Sequence, residues 1–432
     1  MSTTELRFLQ EKLQSLVLRE LDLFRRTALD NLAGADLREE ARQAIESIIA
    51  SGAIELPADV DRMRFVREMT AEIMGYGPIE PFLADESVSE VMVNGPNQIY
   101  VERHGRLAAV PARFINEQTL MRVIERIVNP LGRRIDEGSP MVDARLPDGS
   151  RVNAVIPPLS LVGPVLTIRK FSAQRFTMRH LVEAGSLTAP MAQFLHLCVR
   201  HRRNIVVSGG TGSGKTTFLN ALSEAIPASE RIVTIEDAAE LRLAQPHVLA
   251  LEARPPNVED RGEVTIRDLV RNALRMRPDR IVIGECRGGE ALDMLQAMNT
   301  GHDGSMTTGH ANSPRDLLSR LEVMVLMTGM ELPVRAIREQ ISSSIDIIVQ
   351  QARFSDGRRR VTAIVEVDGM EGDVILTQPL FAFRQRGWSP DGQVLGEHVG
   401  LGQAPRFYEE LEEAGVALDR SLFAAPVGDR DV

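Results

Sequence analysis

One glycine-rich stretch has the residue types and the spacing of a phosphate-binding loop. The apolar run 205–207 predicts a buried strand, and Lys215 opens a predicted helix. The residues from Gly209 to Thr216 fit the P-loop pattern G-x-x-x-x-G-K-[ST] in the strand–loop–helix context that the pattern needs. The predicted nucleotide-binding residues are Gly209, Gly210, Thr211, Gly212, Ser213, Gly214, Lys215, Thr216 and Thr217.

Each residue type in this loop has a physical task. Glycines let successive backbone N–H groups curl around a phosphate, which a Cβ would obstruct. The helix N-terminus adds free N–H groups and the positive end of its dipole. Lys215 is predicted to reach the β- and γ-phosphates, and the Thr216 hydroxyl is a predicted Mg²⁺ ligand. The lysine and threonines after a strand disfavour the alternative of a turn that binds nothing, so a nucleoside triphosphate site is predicted.

The strand predicted at 280–284 resembles the second motif of P-loop enzymes, the Walker B strand. Gly284 stands where an Mg²⁺-holding aspartate is usual, and Glu285 follows it. A carboxylate at a strand tip can act as a general base or orient the attacking water. Catalysis is the favoured reading of Glu285, and a salt bridge to Arg287 is the alternative.

A second strand, predicted at 231–236, ends in three carboxylates within five positions: Glu236, Asp237 and Glu240. Such a cluster is electrostatically costly unless a cation lies nearby. We therefore predict that it holds Mg²⁺, directly or through water, with a solvated loop as the alternative.

His302 and His310 flank a short predicted strand at 304–309, and each is next to a glycine. A single histidine is usually structural, but a pair beside a P-loop favours γ-phosphate sensing or a hydrogen-bond relay. Zinc is disfavoured because no third ligand lies at metal spacing.

Three arginines, Arg145, Arg151 and Arg169, lie on strands predicted from a hairpin around residues 147–149 and from the run 165–169. Surface solubility explains any one of them. Three on neighbouring strands of an acidic protein indicate an anion site equally well.

The elements around these motifs predict an α/β protein: a RecA-like P-loop ATPase domain with a preceding mixed α/β domain and an N-terminal helical region. In the P-loop domain the alternation of strands and helices predicts a parallel sheet with crossover helices. Residues 1–74 carry three amphipathic stretches, 5–26, 37–50 and 58–74, for packing or for binding a partner. The predicted regions are 1–74, 75–172, a hinge at 173–190, and 191–432 with a C-terminal extension that ends in a polar tail.

Composition narrows the classes of function. The 432 residues carry a net charge of −10 and only 4% aromatic residues, which disfavours direct binding of nucleic acid. Cys198 and Cys286 are far apart and form no C-x-x-C motif. No apolar run reaches the roughly 18 residues of a membrane-spanning helix. A cytoplasmic location is expected, with any membrane role exercised through partners.

The motifs together resemble those of the bacterial type II/IV secretion ATPase superfamily, which powers secretion, type IV pili and conjugation. The resemblance covers about residues 70–425 and includes the P-loop, the acidic run 235–240, Gly284-Glu285 and the histidine segment 300–313. The sequence motifs are most similar to those of the CpaF/TadA branch, the motor of tight-adherence (Tad/Flp) pili. The supporting phrases are GYGPIE at 75–80, VNGP at 93–96, DARLPDGSRVN at 143–153, LRMRPDRIVIGE at 274–285 and EVDGMEGD at 366–373.

The resemblance implies a homohexamer that hydrolyses ATP with Mg²⁺ and passes motion to an inner-membrane platform protein. It also implies that Arg145, Arg151 and Arg169 reach the nucleotide. Two other classes stay open: a RecA-like hexameric nucleic-acid translocase, and a regulatory nucleotide-binding module without turnover. The negative charge counts against the translocase, and Glu285 with the complete set of motifs counts against the regulatory module.

Overall fold

The computed structural model describes residues 3–20, 34–57, 59–103, 105–171, 175–256 and 261–425. The chain divides into two compact units, Met1–Ser172 and Ala173–Val432. The proposed division into four regions is finer than this and stays a prediction.

The first unit begins with helices α1 (Thr3–Glu20), α2 (Gly34–Ala50) and α3 (Arg62–Met74). Helix α3 begins where the Asp61 carboxylate accepts the N–H groups of Met63 and Arg64. The three helices share one apolar cluster, which includes Leu13, Val17, Ile45, Phe65 and Met69. The amphipathic stretches 5–26 and 58–74 were predicted to be helical, and their residues 21–26 and 58 lie outside the described residues.

The rest of the first unit is a six-stranded antiparallel sheet. After the short helix α4 (Glu80–Ala84), its elements are β1 (Val88–Asn94), β2 (Ile99–Arg103), β3 (Arg106–Val110), α5 (Glu117–Val128), β4 (Met141–Arg145), β5 (Arg151–Val155) and β6 (Val165–Arg169). The strand order is β3-β2-β1-β6-β5-β4. Strand β3 was not predicted, because its mostly exposed residues show no alternation of buried and exposed positions.

The second unit is built on one nine-stranded sheet. Its strands are β7 (Ile205–Gly209), β8 (Ile232–Glu236), β9 (Val248–Glu252), β10 (Arg280–Cys286), β11 (Met306–Gly309), β12 (Ile347–Arg353), β13 (Arg359–Glu371), β14 (Val374–Trp388) and β15 (Val394–Gly400). The order is β15-β14-β13-β12-β7-β11-β10-β8-β9. Neighbours from β12 to β9 are parallel, which confirms the predicted parallel sheet, and β12 to β15 are antiparallel.

Helices cover both faces of this sheet, and every residue of β7, β8 and β11 is therefore buried. The helices are α6 (Met178–Glu183), α7 (Ala189–Arg200), α8 (Lys215–Ser223), α9 (Ile266–Ala273), α10 (Glu290–Asn299), α11 (Pro314–Leu326) and α12 (Val334–Ser344). Helix α6 lies inside the predicted hinge 173–190. Among the described residues, no helix combines the length and the apolar character needed to cross a membrane.

The prediction of a polar C-terminal tail is wrong for residues 394–425, and residues 426–432 lie outside the described residues. Strand β15 extends the sheet, and a further helix, α13 (Phe407–Glu413), packs onto it. Phe407, Tyr408 and Phe423 are buried around Phe194 of α7. These few aromatic anchors are spaced too widely in a polar stretch to create a periodic pattern.

Candidate functional site

The predicted P-loop joins β7 to α8 at the carboxyl end of the parallel strands, and its own shape demands glycine. Gly212 and Gly214 have left-handed backbones, with φ of +72° and +93°. A Cβ on Gly209 would lie 2.5 Å from the backbone oxygen of Gln351 in the neighbouring strand β12. A Cβ on Gly210, in contrast, would meet nothing within 4 Å. Three of the four glycines are therefore required before any ligand is considered.

Lys215 is the first residue of α8 and is buried inside the loop. Its Nζ donates to the carbonyl oxygens of Gly209 at 3.0 Å and Gly210 at 3.1 Å. Burial lowers the pKa of the ammonium below its usual range, the Arg287 charge lowers it further, and the Glu285 carboxylate opposes both. The lysine charge therefore lies at the centre of the loop.

The loop fits a phosphate on its own chemistry. The Ser213 hydroxyl is buried, and within the described residues it has no hydrogen-bond partner. A buried hydroxyl without a partner is costly, and a phosphate oxygen would satisfy it. Thr216 and Thr217 follow in the first turn of α8 and are partly buried, whereas Thr211 is exposed at the tip of the loop.

Glu285 and His310 meet next to this loop. Glu285 lies near the end of β10, and His310 directly follows the adjacent parallel strand β11. The two side chains approach within 2.6 Å, between Nε2 of His310 and Oε1 of Glu285, and Nζ of Lys215 lies 3.4 Å from Nδ1 of the histidine. Burial, and then the Lys215 charge, lower the pKa of His310 below its ordinary value, so the imidazole is neutral at pH 7.

Arg287 holds the other oxygen of Glu285. Its Nε donates to Oε2 of Glu285 at 2.8 Å, and Nη1 lies 3.3 Å from Oδ2 of Asp237. The salt bridge considered as the alternative reading of Glu285 is therefore present. It coexists with the histidine and lysine contacts expected of a catalytic carboxylate, so both readings of Glu285 have support in the geometry.

The Glu236 carboxylate, in the acidic run 235–240, accepts hydrogen bonds from backbone N–H groups instead of extending into solvent. Its Oε1 accepts the N–H groups of Glu240 at 2.8 Å and Leu241 at 3.0 Å, and the residue is 3% exposed. A Cβ on Gly284 would lie 2.8 Å from Cγ of Glu236. The glycine that replaces the usual aspartate is thus explained by the close approach of this glutamate.

The predicted metal residues do not form a preformed cage. Within the described part of the chain, no group of three or more His, Cys, Asp or Glu side chains is arranged to hold a metal ion. Glu236 is engaged with backbone N–H groups, and Asp237 faces Arg287. Mg²⁺ normally keeps several waters and binds through one or two protein groups and substrate phosphates. The Thr216 hydroxyl fits that mode; the metal roles of Asp237 and Glu240 stay predictions.

His302 is not brought to the P-loop. It precedes β11, whereas His310 follows it, and β11 runs parallel to β7 with Gly309 beside Ser208. Two residues that bracket a strand lie at opposite edges of a sheet, so only His310 shares the edge of the loop. Within the described residues of this unit, no contact of His302 supports the predicted phosphate-sensing role, which stays a prediction.

The three arginines of the first unit lie side by side. Arg145 pairs across the strands with Arg151, and Arg151 pairs with Arg169. Arg169 in turn is 3.8 Å from Oε1 of Glu90 on β1. Like charges directly opposite each other are destabilising by themselves. The cross-strand register thus brings the three predicted arginines together, and their binding of an anion stays a prediction.

Sequence reasoning missed two arginines at the loop, Arg353 and Arg359. Nε of Arg359 donates to the carbonyl oxygen of Gly212 at 2.9 Å, across 147 positions of sequence. Nη1 of Arg353 lies 3.7 Å from where a Cβ on Gly212 would be. The only signal in the sequence was the arginine run 358–360 directly before a hairpin-like segment predicted at 361–367.

Comparison with known proteins places this chain in a family. The family model "Type II/IV secretion system protein" matches residues 72–364. A putative conjugal transfer protein of Mycobacterium tuberculosis is 37% identical over 343 residues, or 78% of this chain and 96% of the relative. The type IV secretion system protein PtlH of Bordetella pertussis is 37% identical over 319 residues, or 68% of this chain and 94% of the relative.

Several solved structures are similar to this chain. The VirB11 ATPase of the Brucella suis type IV secretion system is 32% identical, with 67% of this chain and 95% of that chain covered and a TM-score of 0.38. The DotB ATPase of Yersinia pseudotuberculosis has a TM-score of 0.51 at 18% identity over 72% of this chain and 81% of that chain, a likeness of fold alone. The chain belongs to the type II/IV secretion system protein family.

Proposed function

We propose that this protein is a cytoplasmic, hexameric ATPase motor that powers Tad/Flp-type pilus assembly or type II/IV secretion through an inner-membrane platform protein. The observation that carries the proposal is the convergence of Lys215, Glu285 and His310 at the carboxyl ends of β7, β10 and β11. Ligands of open parallel sheets bind at this edge. The phrases shared with the CpaF/TadA branch support that subtype.

In this proposal the P-loop holds the triphosphate of ATP, with Lys215 and the Ser213 hydroxyl at its oxygens. Glu285 orients the attacking water or accepts its proton, and the neutral His310 positions the Glu285 carboxylate. Mg²⁺ would neutralise charge on the phosphate oxygens, with Thr216 as its protein ligand. Asp237 and Glu240 remain candidate ligands through water.

The row Arg145, Arg151 and Arg169 supports a second part of the proposal. Arginines that reach a transferring phosphoryl group stabilise its charge and can raise the rate by large factors. We assign that role to this row, within a homohexamer. His302 remains a candidate phosphate sensor only within the homohexamer, because strand β11 separates it from the P-loop of its own chain.

The experiment that tests the function is phosphate release by the purified protein, with and without DNA or RNA. We expect Glu285→Gln to bind ATP normally and to lose at least about a hundred-fold in turnover, the scale of general-base catalysis. Lys215→Ala should lose tight ATP binding, because its ammonium is the charge inside the loop. Glu224→Gln, an exposed carboxylate at the far end of α8, is the matched control.

The outcomes separate the classes of function. Turnover that needs Glu285 and ignores nucleic acid supports the secretion or pilus motor. Strong stimulation by DNA would instead favour the hexameric nucleic-acid translocase. Wild-type turnover in Glu285→Gln would refute the general-base assignment, and tight binding without any turnover would point to a regulatory module.

A further inference from the structure

The hairpin formed by β12, β13 and the turn 354–358 packs against the P-loop. Strand β12 pairs in parallel with β7, and Gln351 lies opposite Gly209. The backbone oxygen of Gln351 leaves no space for a Cβ on Gly209. The hairpin therefore shapes the first residue of the loop.

Arg359, the first residue of β13, shapes the other end of the loop. Its Nε donates to the Gly212 carbonyl at 2.9 Å, and its Cδ lies 3.0 Å from where a Cβ on Gly214 would be. Because the peptide unit is planar, fixing the Gly212 carbonyl also fixes the N–H of Ser213, which donates to the Gly210 oxygen at 3.3 Å. One guanidinium thus orients the turn of the loop that contains both left-handed glycines.

The hairpin is held rigidly enough to impose this shape. The buried Arg360 packs against the rings of both Phe354 and Phe383, 5.1 and 5.0 Å from their centroids, and the two rings also contact each other. The Asp356 carboxylate accepts the N–H of Arg358 at 2.9 Å and that of Val394 on β15 at 3.0 Å. Arg359 therefore extends from a preorganised base, which is what accurate positioning of a binding loop requires.

We propose that Arg359 is a positioning residue of the nucleotide site, which holds the P-loop in its phosphate-binding shape through the Gly212 carbonyl. The inference rests on the proposed function only in taking the ligand to be ATP. Loss of the contact weakens nucleotide binding and leaves the chemical step intact, because Glu285 and His310 lie on other strands. The Arg359 contact also couples β13, and β15 through Asp356, to nucleotide binding in the loop.

The test compares Arg359→Ala with Arg358→Ala. Arg358 is the neighbouring exposed arginine of the same turn, and its Nη2 donates to Gln393 at 2.9 Å instead of to the loop. Equilibrium binding of ATP and ADP, the KM and kcat of phosphate release, and the melting temperature without nucleotide are measured for the full chain. For Arg359→Ala we expect Kd and KM to rise at least about ten-fold, the scale of one hydrogen bond to a charged group. The kcat should stay near wild type, and the nucleotide-free melting temperature should fall by no more than about 6 °C, the scale of one hydrogen bond in a unit of this size. Arg358→Ala should match wild type throughout.

The inference is overturned if Arg359→Ala binds ATP as tightly as wild type, or if Arg358→Ala weakens binding equally. It is also overturned if the nucleotide-free melting temperature of Arg359→Ala falls by more than about 6 °C, since the arginine would then stabilise the whole fold and not only the loop. Failure of the motor proposal looks different: the wild-type protein would bind ATP without turning it over, and the binding comparison would still decide the role of Arg359.

Discussion

Gly209→Ala, with Gly210→Ala as its control, separates two reasons for glycine in a P-loop. One is close packing within the protein, and the other is contact with a phosphate. The positions are adjacent, and neither has a left-handed backbone, so an added methyl group introduces no backbone strain at either. At Gly209 the new Cβ would lie 2.5 Å from both the Gln351 carbonyl oxygen and Oγ of Ser213. At Gly210 it would meet nothing within 4 Å.

The magnitude follows from what has to move. Ser213 can change rotamer, but the Gln351 carbonyl belongs to a strand paired with β7 itself. Overpacking of this kind costs typically 1–3 kcal/mol, and we expect about 3 kcal/mol because a backbone group must yield. For a unit of this size, roughly 2–4 °C of melting temperature is lost per kcal/mol, so Gly209→Ala should melt about 6–12 °C below wild type. Gly210→Ala should lie within about 2 °C of wild type.

The assay is thermal unfolding of the full chain with and without an ATP analogue, together with the Kd of the analogue. Gly209→Ala should lose stability without nucleotide and should also bind the analogue more weakly, because its loop is displaced. Equal melting temperatures for the two variants would refute the steric reasoning. A Gly210→Ala variant that melts normally but cannot bind nucleotide would show that phosphate, and not the protein, requires glycine at that position.

Two further predictions concern buried glutamates. Burial is the largest cause of a raised pKa at Glu72, from 4.5 to about 7. The contribution of this group to the free energy of unfolding is therefore fully present below pH 4.5 and is lost as the pH rises through 7. The free energy of unfolding of Glu72→Gln should therefore match that of wild type near pH 4.5 and exceed it by about 3 kcal/mol at pH 8. Unfolding is measured at both pH values, and a difference that does not change with pH would contradict the burial of the Glu72 carboxylate. Gly284→Ala should displace Glu236 from the Leu241 N–H, lowering both the melting temperature and phosphate release, whereas an unchanged protein would show that the 2.8 Å contact relaxes without cost.

The local parts of the site were predictable from sequence. A buried strand, a glycine-rich loop and a helix that starts at Lys215 are contiguous, so their geometry follows from local chemistry. The row of Arg145 and Arg151 is local in the same sense, since the turn at 147–149 sets the register of a hairpin. Arg169 joins them because β6 pairs with β5, which the sequence suggested but did not determine.

The histidine pair shows where the same reasoning failed. Proximity in sequence placed His302 and His310 together, but the strand between them carries them to opposite edges of the sheet. The direction of β11, parallel to β7, decides which of the two lies at the loop. Parallel order was predicted, so applying strand direction to each flanking residue would have selected His310 alone.

The contacts of the β12–β13 hairpin were beyond sequence reasoning for a different physical reason. They depend on β12 adding beside β7, a pairing between segments more than a hundred residues apart that no local pattern encodes. Yet this pairing, and not phosphate, accounts for glycine at position 209, because the Gln351 carbonyl fills the space of a Cβ. A glycine that fits a phosphate-binding pattern is thus not by itself evidence of phosphate contact. In this chain, the evidence for phosphate is the buried, unsatisfied Ser213 hydroxyl and the enclosed Lys215 ammonium.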